Sequence, residues 1–61
     1  MLAEERRLLI VDWTRKEGRL NAAETAAKLH VATETVRRDL DVLQRRGALR
    51  KVHGGAIAME R

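Results

Sequence analysis

The stretch Val31-Ala32-Thr33-Glu34-Thr35-Val36-Arg37-Arg38-Asp39-Leu40 decides how the chain is read. At helical spacing from Thr33, it places Val36, Leu40 and Leu43 on one stripe, a face for packing. Glu34, Arg38, Asp41 and Arg45 fall on the opposite side, with Thr35 and Arg37 on the flanks. Paired arginines early in a helix, preceded by small hydroxyl residues, form an edge suited to meeting base edges and phosphates.

Before this helix, Leu29-His30-Val31 reads as a tight turn. A short alanine-rich helix, Ala22–Leu29, leads into it, with Asn21 as N-cap and Glu24 completing a capping box. Ala26 suits a close helix crossing. Thr25 falls where an apolar residue belongs, its hydroxyl expected to bond back to the carbonyl one turn earlier. His30 occupies the bend, where Gly or Asn is commoner. No Asp or Glu stands at ligand spacing from His30 or His53, so both read as exposed rings rather than metal ligands or bases.

Further out, Ala3–Glu17 reads as the first helix, packing through Leu9, Ile10 and Trp13, with Gly18 as its stop. Glu4, Glu5, Arg7, Asp12 and Arg15 are expected on its solvent side, and Arg6 and Arg7 read as ordinary surface residues, with a phosphate contact as the alternative. Arg19–Asn21 is a short extended segment able to pair with a later hairpin. The third helix runs from Thr33 to about Arg46, with an acid-first pair from Asp41 to Arg45 and with Arg45 and Arg46 suited to its C-terminal dipole or, alternatively, to DNA. Gly47 ends it. Leu49–Val52 and Ala56–Met59 read as strands joined by a His53-Gly54-Gly55 turn, whose glycines permit positive φ. Arg50, Lys51 and His53 decorate this hairpin.

The 61 residues make one domain near the lower size limit for folding alone. The net charge is +4, and its distribution matters more: Arg37 to His53 carries six Lys or Arg against two Asp. That is the expected footprint of a polyanion partner, the alternative from charge alone being a solvated surface that keeps the protein soluble. A single aromatic residue, Trp13, argues against base stacking on single strands. With no Cys or Ser, no histidine–acid pairing and no glycine-rich phosphate loop, neither catalysis nor a metal or other cofactor is expected. No apolar run is long enough to span a membrane and no signal peptide is evident, so a cytoplasmic, nucleoid-associated protein is expected.

Together these features predict a mainly α fold with a small β-hairpin. It is a winged helix-turn-helix of three helices plus a two- or three-stranded antiparallel wing, occupying residues 1–58. The expected partner is duplex DNA: Thr33, Glu34, Thr35, Arg37 and Arg38 reading the major groove, and Arg50, Lys51, His53 and Gly54 on the backbone or minor groove. Glu34 is expected to hold a neighbouring arginine, and Asp39, on the helix flank, to orient one, with the wing arginine a candidate. The alternative is a winged helix used for protein contacts, which leaves Arg37 and Arg38 without a reason.

Glu5-Arg6 with Ile10, then Gly18, V-A-T-E-T-V-R-R-D-L, and G-A-L-R-K-V-H-G-G-A (Gly47 to Ala56) closely resemble the DeoR-type helix-turn-helix over nearly the whole chain. The resemblance carries Thr35, Arg37, Arg38, Asp39 and Leu40 over as the recognition-helix signature, and His53 to Ala56 as the wing signature. It implies the N-terminal domain of a bacterial transcription regulator, a repressor of a sugar or nucleoside catabolic operon. It also implies a homo-oligomeric full-length protein whose C-terminal domain, absent here, binds a sugar-phosphate-type effector; residues 59–61 read as the start of the linker to it. Two departures bear on stability. Ala32 replaces a Ser N-cap worth about 1 kcal/mol, with Thr33 able to cap if the helix starts one residue later, and Thr25 replaces Leu.

Overall fold

The computed structural model describes residues 1–59; Glu60 and Arg61, and with them most of the expected linker start, lie outside the described residues. The order is α1 (Ala3–Glu17), β1 (Arg19–Asn21), α2 (Ala22–Leu29), α3 (Thr33–Arg45), β2 (Leu49–Val52) and β3 (Gly55–Ala58). The strands form one antiparallel sheet in the order β1-β3-β2, so the winged helix-turn-helix has the three-stranded form.

Local chemistry explains the boundaries. The Leu2 N–H donates to Glu5 Oε1 at 3.0 Å, starting α1, and Gly18 ends it in the left-handed region at φ 83°. Asn21 Oδ1 accepts the Glu24 N–H at 2.8 Å, capping α2. His30 then turns the chain at φ 58°, a left-handed conformation in which Asn, Asp and His are the commonest residues after Gly. The cap of α3 is Ala32, not Thr33, and it offers no side-chain acceptor, so the first N–H groups of α3 keep no side-chain partner.

The core takes residues from all three helices and both hairpin strands: Ile10, Ala22, Ala26, Val36, Leu40, Leu43, Leu49 and Ala56 are buried, and Leu20 of β1 packs against them. Ala22 and Ala26 let α2 lie close on its neighbours, because a small side chain shortens the interhelical distance. On α1 the packing face centres on Ile10 and Thr14; Leu9 and Trp13, expected at its centre, are only half-buried. Thr14 is tolerated there because its hydroxyl donates to the Ile10 carbonyl at 2.7 Å, the back-bond the sequence suggests for Thr25. Thr25 is itself buried.

The two wing glycines serve different ends. Gly54 supplies the positive φ (81°) at the second position of the two-residue hairpin loop. Gly55 lies instead in β3, which begins one residue earlier than expected. A Cβ there would sit 1.8 Å from the Leu20 carbonyl oxygen, so only glycine lets β3 pass β1 at this point.

Candidate nucleic-acid interface

The turn from α2 to α3 leaves one face of α3 open. Glu34 and Arg38 are exposed, their side chains 63% and 76% accessible, and Arg37 and Arg45 are exposed beside them. Thr33 and Thr35 are half-buried on the same first turn. Glu34 and Arg38 stand 4.0 Å apart one helical turn from each other, a loose ion pair with both groups in solvent. Thr33, Glu34, Thr35, Arg37 and Arg38 are thus gathered on one rigid element.

The wing residues are dispersed. Successive side chains of a strand point to opposite faces. Lys51 therefore shares the inner face with the buried Leu49, while Arg50 stands on the outer face, in one row with Ile57 and Arg19. Arg19 is exposed, and only the sheet register reveals it as Arg50's neighbour by one strand. His53 and Gly54 are exposed, but their turn leans on α2: the Ala22 N–H donates to the Gly54 carbonyl at 2.9 Å. There they border an open cleft of about 830 Å³, also lined by Trp13, Lys16, Arg19 and Lys28. The Lys28 ammonium lies 5.6 Å from the Trp13 ring centre, within cation–π range.

Acids expected to behave locally pair across the fold instead. Asp39 is 1% exposed, not on an open flank, and the arginines it orients come from α1 rather than from the wing. Arg6 donates through Nε to Asp39 Oδ2 and through Nη2 to Oδ1 at 3.0 Å; Arg7 Nε donates to Oδ1, also at 3.0 Å. Arg6 and Arg7 are therefore structural, with side chains only 13% and 21% exposed. Arg7 continues to Glu4 at 2.9 Å, and Glu4 receives a fork from Arg46 at 2.9 and 3.0 Å. Those hydrogen bonds, Arg46's first and then Arg7's, lower the Glu4 pKa from 4.5 to about 2.

On the wing side, Lys51 Nζ donates to Asp41 Oδ1 at 2.5 Å, and the Lys51 N–H donates to Gln44 Oε1 at 2.8 Å. The expected Asp41–Arg45 pairing gives way to this one. The Lys51 hydrogen bond holds the Asp41 carboxyl below the usual carboxylate range, with the Lys51 and Arg45 charges adding to it. Of the six basic residues between Arg37 and His53, Arg46 and Lys51 are thus closely neutralised. Arg37, Arg45 and Arg50 have no ion-pair partner among the described residues.

A signal for the Asp39 clamp was present in the periodicity. Asp39 lies three residues after Val36 and four before Leu43, and Arg6 lies four before Ile10, so both sit on packing stripes. A charge on such a stripe must be paired. Nothing at short range marks Lys51 as Asp41's partner.

No group of His, Cys, Asp or Glu able to hold a metal occurs among the described residues, and no helix there is long and apolar enough to cross a membrane.

Comparison with known proteins places the chain by its sequence. The profile of the DeoR-like helix-turn-helix domain matches residues 6–61. The chain is 38% identical to the L-fucose operon activator of Haemophilus influenzae over 82% of its own length and 20% of that protein's. It is 41% identical to the lactose phosphotransferase system repressor of Streptococcus mutans, covering 92% of this chain and 22% of the relative. It is 35% identical to the transcriptional repressor GlcR of Bacillus subtilis, over 93% and 22%. The chain therefore spans about a fifth of the length of these curated relatives. No solved structure matches it significantly. With the α2–turn–α3 unit, the exposed Arg37–Arg38 pair and the three-stranded wing, these matches make the chain a member of the DeoR-like helix-turn-helix family, the DNA-binding domain of bacterial transcription regulators.

Proposed function

We propose that this domain binds duplex DNA in a sequence-specific way, with α3 in the major groove. Thr33, Glu34, Thr35, Arg37 and Arg38 form the reading edge. Arg50, His53 and the Gly54 turn meet the backbone or minor groove, whereas Lys51, expected among them, is held on α3 by Asp41. The observation that carries this reading is the gathering of Arg37 and Arg38, both exposed, in the first half of a helix that follows a tight turn. Arg38 stays exposed beside Glu34, which leaves its guanidinium able to fork onto a guanine, a contact worth about 1–3 kcal/mol of discrimination.

In the whole protein this domain would be N-terminal and would repress a sugar or nucleoside catabolic operon from the cytoplasm. Its partners would be an operator duplex, further copies of the same chain and a sugar-phosphate effector bound by another domain. The relatives named for fucose, lactose and transcriptional repression support the carbohydrate setting. Binding on repeated half-sites would raise the affinity above that of one domain.

The test is an NMR titration of this chain with a random duplex and with duplexes selected from a pool, at two salt concentrations. Shifts concentrated at 33–38 and 50–55, weakening as salt rises, are the expected result. A folded domain with no shifts at low salt would overturn the reading and favour a protein partner. Arg38→Ala is expected to weaken the selected duplex more than the random one; equal losses would make Arg38 a phosphate contact.

A further inference from the structure

The ion pair between α3 and the wing bears on how much of the domain's positive charge reaches a duplex. Lys51 is tied at two points: its backbone N–H by Gln44 and its ammonium by Asp41. Both anchors are on α3, within one turn of each other, so the lysine stem lies along the helix rather than away from it. The pair is open to solvent, with side chains 36% and 46% exposed. It borders the face that carries Arg38 and Arg45.

We propose that Asp41 is a positioning residue that withholds Lys51 from phosphate and so sets the strength of sequence-independent binding. This rests on the DNA-binding reading above. Two anions compete for one ammonium. Asp41 belongs to the same chain and is already in contact, whereas a phosphate must be brought in. If Lys51 turned to a phosphate, Asp41 would be left unpaired beside a polyanion, so the exchange is opposed from both ends. Each phosphate neutralised contributes about 0.9 to the slope of log K against log salt. An engaged Lys51 removes one such contact while leaving Arg37 and Arg38 free to read bases. The domain thereby relies less on charge common to all duplexes.

The experiment measures binding of this chain to a random 20-base-pair duplex by fluorescence anisotropy across a salt series, with unchanged circular dichroism required of each variant. Asp41→Asn is expected to bind several-fold tighter at low salt, with a slope steeper by about one unit, as Lys51 is released. Lys51→Ala alone is expected to leave the slope near wild type. In the Lys51→Ala background, Asp41→Asn should add no further unit of slope. Two results would overturn the proposal. A Lys51→Ala slope shallower by about one unit would mean that Lys51 already sits on phosphate. An equal steepening by Asp41→Asn with and without Lys51 would mean that Asp41 acts only by repelling DNA. Failure of the DNA-binding reading looks different, because then neither the folded wild type nor any variant binds the duplex, and the proposal falls with it.

Discussion

Asp39 and Asp41 are two residues apart on the same helix, and each pairs with basic side chains from another element. On the α1 side, Asp39 is 1% exposed and receives three charge-assisted hydrogen bonds from Arg6 and Arg7. On the wing side, Asp41 is about half exposed and receives one, from a flexible lysine. The chemistry is the same, but the dielectric is not. Water competes for the Asp41 pair and makes it a latch that can be exchanged. It does not reach the Asp39 carboxylate, where losing a partner would strand a charge, so that pair is a lock on the orientation of α3.

The largest effect is expected at the lock. Asp39→Ala leaves two poorly solvated guanidinium groups facing each other, and should destabilise the domain by about 3–5 kcal/mol, as breaking a buried pair does. In so small a domain that approaches the whole stability, so circular dichroism should show a largely unfolded chain at 25 °C. A cooperative melt close to wild type would erase the distinction between lock and latch.

Next come the two arginines, which sharpen the lock. Arg6→Ala removes two bonds to Asp39 and should cost about 1.5–3 kcal/mol in urea denaturation. Arg7→Ala should cost less, because Arg6 still neutralises the carboxylate. The reverse order would make Arg7 the principal partner.

At the latch, Asp41→Asn and Lys51→Ala should leave the denaturation midpoint close to wild type while the first changes duplex binding. A large loss of stability in either would show that the wing depends on this pair for its packing.

The smallest effect concerns Glu4, at the exposed end of the α1 network. Its pKa is lowered on folding from 4.5 to about 2, so its contribution to stability is fully present above about pH 4.5 and is lost as the pH falls through about 2. Thermal melts of wild type and Glu4→Gln should therefore differ at neutral pH and converge towards pH 2. A constant difference would mean that the Arg46 fork contributes nothing that depends on charge.

Much of the fold was legible before any coordinates. Gly18, Asn21 and Gly47 mark helix ends through capping and positive φ, and the stripe of Val36, Leu40 and Leu43 marks the buried face of α3. The exposure of Arg37 and Arg38 follows from that same stripe. Less legible was the wing. A Gly-Gly pair reads locally as a turn, yet the role of Gly55 is to let β3 pass β1, and Arg50 and Lys51 read as one cluster although the pleat sends them to opposite faces. Strand register fixes both, and register is a relation between distant segments.

By itself the sequence determined the helices, their ends, the α3 stripe and the family, because periodicity, caps and turn conformations act over a few residues. The tertiary structure alone decided which charges remain available to a partner. Arg6 and Arg7 meet Asp39 across 33 and 32 residues, Arg46 meets Glu4 across 42, and Lys51 meets Asp41 across 10. Coulomb attraction is long-ranged and indifferent to sequence order, so each acid had several candidate partners along the chain. Only the docking of α1 and the wing against α3 selected among them, and burial then fixed which pairs are permanent.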